Sequence, residues 1–279
     1  MLCRARHKRG AAAPWHGRSP LPLKGDALAY TVGSHDKAQQ AIEEALHRTR
    51  RALIQTIHAV SAIASRSDRH TALHQEQVAT LAASIGQRLG LGAHQLEGLY
   101  LGALVHDIGK IAVPAELISK PGRLSPEEFA LVKTHAQAGV DMLRNVNLPW
   151  PIQAIIGQHH ERLDGSGYPL GLAGEAIAIE ARICAVADVF EAICQPRPYR
   201  EARGCAEALA ELEHGAGSGY DREAVEALAS LVRQAGAQDF WTYIDSGEFS
   251  STVILTQLSD ADLTVGAATA RLAARRGEA

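Results

Sequence analysis

Apolar residues recur every three to four positions through most of the chain from Asp36 to Ala235, and no strand-like run appears before Val253-Ile254-Leu255. A repeat near 3.6 gives each segment one face to bury, so the expected fold is all-α, a bundle of helices covering one another. Helices are expected from Ser67 or Thr71 to Leu89, from Ala93 to about Asp107, and over 125–145, 150–161, 177–194, 201–213 and 221–235. Gly90 and Gly92 supply the first stop. Ser125-Pro126-Glu127-Glu128 reads as a start, with a hydroxyl cap, proline at the first helical position and acids in the first turn. Residues 162–175 break the pattern with a glycine-rich loop that can hardly be helical.

Upstream, Ile42, Leu46, Leu53, Ile57, Val60 and Ala64 form a heptad-like stripe over about 36–65. Such a helix either packs on the following domain or pairs two copies as a parallel coiled coil, a homodimer. Residues 1–34 hold Arg4, Arg6, Lys8, Arg9, Arg18 and Lys24 with no acid before Asp26, and read as a disordered basic leader. The expected organisation is therefore a leader over 1–34, a helical extension over 35–66, the principal domain over 67–235 and a C-terminal extension over 236–279. In that last part Phe240-Trp241-Thr242-Tyr243 either docks as a helix end or forms a hairpin around Ser246-Gly247.

A net charge of −3 and a pI of about 6.5 argue against wholesale electrostatic binding of nucleic acid, so any phosphate recognition must be local. No apolar run approaches the roughly 18 residues of a membrane helix, and no signal-peptide block opens the sequence. A cytoplasmic protein without a membrane partner is expected. Cys3, Cys184, Cys194 and Cys205 lack Cys-x-x-Cys spacing and read as reduced thiols.

The unusual feature is histidine: His70, His74, His106, His135, His159 and His160 all fall between residues 70 and 160. His106-Asp107 follows the apolar stretch Leu99 to Val105, and at a helix terminus adjacent side chains can converge on a cation that they could not share inside a helix. Asp188 interrupts the apolar run Ala185 to Val189, where a carboxylate costs several kcal/mol unless it is paired or ligates a metal. Together these donors ask for a cation.

The segments His106-Asp107-Ile108-Gly109-Lys110 and His159-His160-Glu161-Arg162-Leu163-Asp164-Gly165-Ser166-Gly167-Tyr168-Pro169 resemble the HD-GYP domains, a branch of the HD metal-dependent phosphohydrolases. The second fits the pattern HHExxDGxGYP at every specified position. The resemblance runs from about Asp68 to Val232 and implies an HD-domain-like helical bundle with two, sometimes three, metals. By that resemblance His74, His106, Asp107 and Asp188 would hold one ion and His135, His159 and His160 the second, with Asp107 bridging. Mixed imidazole and carboxylate donors suit borderline divalent ions such as iron, manganese or zinc, and the resemblance implies iron or manganese.

The activity the resemblance implies is hydrolysis of the bacterial second messenger cyclic di-GMP to pGpG, GMP or both, by a metal-bridged hydroxide. Asp107 and Lys110 would be catalytic, Lys110 contacting the scissile phosphate. Arg197 and Arg200 would bind substrate phosphates, although Arg200 could equally stack on Tyr199 or pair with Glu191. Tyr168 is either a surface for guanine or a lock on its own loop. His70 stands where some members carry a third-metal Glu; two metals are expected here, with His70 nearby rather than ligating. Leu73, Gln77, Glu191 and Arg200 depart from the family pattern. The alternative is a metal-binding signalling or scaffold module of weak activity that binds a cyclic dinucleotide or a protein.

Overall fold

Ser125 begins a helix for the reason its sequence suggests: its Oγ accepts from the Glu128 amide at 3.2 Å while the Glu128 carboxylate accepts from the Ser125 amide at 2.8 Å. This capping box belongs to a computed structural model that describes residues 25–64, 69–195, 203–236 and 239–246, with side chains over 37–64, 73–195, 203–236 and 239–245. The elements are α1 Gly25–Ala64, α2 Arg69–Arg88, α3 Ala93–Leu104, a 3₁₀ turn Ile108–Ala112, α4 Ala115–Ile118, α5 Pro126–Lys133 and α6 His135–Leu143. They continue with α7 Ile152–Gln158, α8 Ile179–Cys194, α9 Cys205–His214, α10 Arg222–Ala235 and α11 Phe240–Ser246. Among the described residues there is no strand beyond two isolated bridges, Asp164 with Ala173 and Ala216 with Tyr220. The Val253 to Leu255 signal lies outside the described residues.

The chain divides into two compact units, 1–44 and 45–279. Of the first, the described part is the N-terminal stretch of α1. That helix begins at Gly25 rather than Asp36, so the helical pattern reaches into what reads as leader.

In the second unit α2, α3, α7, α8 and α10 bury one face each in a shared core that includes Leu81, Ile85, Leu101, Ile155, Ile183, Phe190 and Leu228. Each such side chain contributes about 1.5–3 kcal/mol. The later part of α1 belongs to this core: Ile57 is buried, and Arg50 makes a two-pronged pair with the buried Glu97 at 2.7 and 2.6 Å. Glu97 also accepts from Trp150 Nε1 at 3.1 Å. Ser61 Oγ donates to the Leu104 carbonyl at 3.0 Å, at the end of α3. Of the two alternatives for residues 240–243 the helix is realised: Phe240 and Ile244 are buried, with Phe240 edge-on to Phe190 at 5.2 Å.

The expected single helix over 125–145 is two, divided at Thr134, whose Oγ1 donates to Leu131 O at 2.7 Å. No helix among the described residues is long and apolar enough to cross a membrane.

Candidate metal centre

Helix α3 stops at Leu104, one turn before its apolar pattern would suggest, and the chain turns through Val105, His106 and Asp107 into the 3₁₀ segment. The stop frees both side chains of the pair to face inward. His106 Nε2 lies 3.3 Å from Asp107 Oδ2, with His74 Nε2 of α2 at 3.9 Å from the same oxygen. Asp188 of α8 flanks this group, its Oδ1 3.3 Å from His74 Nε2 and 3.9 Å from His106 Nε2. The other oxygen, Asp107 Oδ1, faces His135 Nε2 at 3.3 Å and His159 Nε2 at 3.9 Å. Donor atoms of Asp107, His135, His159 and His160 lie within 4.8 Å of one another, as do those of His74, His106 and Asp107. Asp107 is thus shared, one oxygen to each group.

The imidazoles are aimed by their other nitrogen. His106 Nδ1 donates to Ala103 O at 2.6 Å, His135 Nδ1 to Val132 O at 2.8 Å and His159 Nδ1 to Ile156 O at 2.8 Å, in each case the carbonyl three residues back. That tautomer leaves Nε2 as a lone-pair donor. His74 Nδ1 is met instead by Glu191 Oε2 at 2.5 Å.

Nε2 of His106, His135 and His159 and Oδ1 of Asp107 are buried without a hydrogen-bond partner. One such atom costs about 1–3 kcal/mol, and four converging on one cavity fit a bound cation. The group suits divalent metal binding.

Burial, reinforced by the neighbouring imidazoles, holds His159 well below its ordinary value and His160 down to about 3, so both are neutral as ligands must be. His135 is lowered too, chiefly by burial. Burial works against charging His74 as well, but the carboxylates of Asp188 and Glu191 outweigh it and hold the ring up to about 9. Asp107 and Asp188 stay ionised against the burial penalty, Asp107 through Lys110 and His106, Asp188 through His74 and His106.

Lys110 Nζ, at the far side of the 3₁₀ turn, rests on Asp107 Oδ2 and is one-third exposed. The Tyr168 ring stacks on His160 at 4.6 Å and 28°. The loop that carries it is tied down by Glu161, whose buried carboxylate accepts from the Leu170 amide at 2.7 Å and the Leu172 amide at 3.0 Å. At Gly167 a Cβ would stand 2.4 Å from Glu161 Cα, so only glycine lets the loop fold back this closely.

The structure therefore brings together His74, His106, Asp107, His135, His159, His160, Asp188, Lys110 and Tyr168. The side chain of His70, and Arg197 and Arg200 entirely, lie outside the described residues, so the expected Arg200 pairing does too. Glu191, expected from the sequence as a departure from the family pattern and a possible partner of Arg200, faces a candidate ligand instead. Its spacing of three from Asp188 on one helix was the signal that could have found it. Of the other departures, Leu73 is exposed and Gln77 buried.

A family model described as HD domain matches residues 58–224. The cyclic di-GMP phosphodiesterase response regulator RpfG of Xanthomonas campestris pv. campestris is 42% identical over 163 residues, 58% of this chain and 43% of that one. A cyclic di-GMP phosphodiesterase of Thermotoga maritima is 37% identical over 184 residues, 65% of this chain and 50% of its own length. The 3'3'-cGAMP-specific phosphodiesterase 1 of Vibrio cholerae is 42% identical over 141 residues, 50% of this chain and 33% of that one. The chain spans half or less of the length of these relatives. Among solved structures, the V. cholerae phosphodiesterase V-cGAP3 aligns with a TM-score of 0.55 at 20% identity, covering 72% of this chain and 53% of that one. At that identity the likeness speaks for the fold. With the family model spanning α2 to α9 and the whole His159-to-Pro169 motif in place, the chain belongs to the HD domain family, in its HD-GYP branch.

Proposed function

We propose that this chain is a metal-dependent phosphodiesterase that opens a cyclic dinucleotide, cyclic di-GMP first, to pGpG, GMP or both. The observation that carries the reading is the division of Asp107 between two histidine groups, with the Lys110 ammonium on its Oδ2 side. His74, His106, Asp107 and Asp188 would hold one divalent ion, iron or manganese, and Asp107, His135, His159 and His160 a second. When bound, such a pair supplies a water of pKa near ~7 and charge stabilisation at phosphorus. His70 is assigned no ligand role.

The chain's own groups do the rest. The carbonyls of Ala103, Val132 and Ile156 fix three imidazoles before any substrate arrives. Glu191 orients His74. Lys110 offers a mobile ammonium to the scissile phosphate, and Tyr168 covers His160 on the side where substrate approaches. Arg197 and Arg200 are proposed contacts to the remaining phosphate oxygens. The names of the similar proteins, cyclic di-GMP and 3'3'-cGAMP phosphodiesterases, support this substrate class.

Metal analysis of protein purified without oxygen, together with chromatography of cyclic di-GMP digests, tests the reading. About two ions per chain and pGpG or GMP as product are expected; one ion or fewer after metal-replete preparation rejects the paired centre, and two ions without turnover favour the scaffold alternative.

A homodimer is proposed through α1, where Ile42 is 57% and Leu46 48% exposed despite their place in the stripe. Because Ile57 is buried and Arg50 holds Glu97, the test keeps the helix: full-length protein should scatter light as a dimer, and Ile42→Lys with Leu46→Lys as a monomer.

A further inference from the structure

Beside the candidate centre runs a groove of about 480 Å³, walled by Lys133, Gln137 and Asp141 on one side and by Tyr168 and Pro169 on the other. It adjoins the centre through Tyr168, which stacks on His160 and lies 6.4 Å, centroid to centroid, from the His135 ring. Lys133 Nζ is poised between two aromatic rings, 5.3 Å from the centre of Phe129 and 5.5 Å from that of Tyr168. Such contacts hold an ammonium in place without neutralising it. The carboxylate in the groove does not neutralise it either: Asp141 is engaged by Arg144 at 3.7 Å and accepts from Gln137 at 3.3 Å. Lys133 is thus the one cation among the residues walling the groove, half-buried and without an ion-pair partner among the described residues.

A cyclic dinucleotide carries two phosphodiesters, and only one is cleaved at a time. Lys110 and the metal ligands face the first; the second lies to the side, where a cation in the groove can hold it together with the contacts proposed for Arg197 and Arg200. We propose that Lys133 holds the non-scissile phosphodiester of the cyclic dinucleotide in the groove between α5, α6 and the Tyr168-Pro169 loop, an inference that rests on the functional reading above. It is a substrate-binding residue, selective for ligands with two phosphodiesters. Its plain structural role, a cation in the last turn of α5, would affect helix stability and not substrate affinity.

The test compares full-length wild type, Lys133→Met and Lys133→Arg on cyclic di-GMP and on bis(p-nitrophenyl) phosphate, which has a single phosphodiester. Met keeps the apolar stem against the two rings and removes only the charge. Lys133→Met should raise KM for cyclic di-GMP by about 10- to 100-fold, the loss of a charge-assisted hydrogen bond, with kcat, metal content and melting temperature unchanged. Hydrolysis of the small diester should be unaltered, and Lys133→Arg should restore most of the affinity. An unchanged KM for cyclic di-GMP in an active Lys133→Met overturns the inference alone, as does an equal loss on both substrates. A wild type that cleaves the small diester and not the cyclic dinucleotide overturns the functional reading, and the assignment of Lys133 with it.

Discussion

His106, His135 and His159 share one device: each ring donates through Nδ1 to the carbonyl three residues earlier and turns Nε2 inward. A further ring, His74, is oriented by the Glu191 side chain, so mutation can remove its aim without touching the ring. Glu191→Ala should weaken metal affinity by about 10- to 100-fold, read by competition with a chelating dye, while Glu191→Gln should keep part of it. Asp107→Ala should release both ions together in elemental analysis, since each oxygen faces its own histidine group; loss of one ion alone would refute the bridge. Lys110→Ala should lower turnover by about 10²- to 10³-fold with the ions retained, measured under conditions where chemistry limits the rate. Asp188 and the His106-Asp107 pair were legible because they interrupt or end apolar helical runs, and the other donors through the histidine cluster and its resemblance to the HD-GYP pattern. The orienting groups were not: three are backbone carbonyls, which every residue has, and Glu191 reads in sequence as a departure from the family pattern with nothing to tie it to His74.

Helix ends decide where those donors point. The premature stop of α3 at Leu104 lets His106 and Asp107 share a cavity, and the break at Thr134 starts α6 with His135 as its first residue. Period alone could place both helices and neither break, because the apolar spacing runs on through them. Gly109 shows how closely the pieces approach: a Cβ there would stand 1.9 Å from the His135 carbonyl oxygen and 2.5 Å from the Gly139 nitrogen. Gly109→Ala should therefore force the 3₁₀ turn away from α6, and elemental analysis should find less metal in protein that still shows a helical circular dichroism spectrum. The stripe on α1 was legible as helix, yet the sequence left open which of its residues are covered by the domain. Arg50→Ala should destabilise by about 3 kcal/mol in urea titration, because it leaves the buried Glu97 carboxylate with Trp150 but without its cation.

Across the whole molecule the fold class followed from the helical period, whereas the limits of the compact unit did not. α11 is a short aromatic segment whose docking depends on a Phe190 far away in sequence. Donors reach the centre from α2, the turn after α3, α6, the end of α7 and α8, so bound ions would tie together elements that span most of the unit. At a free-ion concentration 100 times the dissociation constant this is worth about 2.7 kcal/mol, and chelation should lower the calorimetric melting temperature by about 5–10 °C. A melting temperature indifferent to chelation would show that the centre does not load. The same arrangement sets an order in time. A ribosome delivers this chain from its N-terminus, so His106, Asp107, His135, His159 and His160 are all made before Asp188 exists. The imidazole-rich half of the centre is thus complete in sequence before the half that waits for α8.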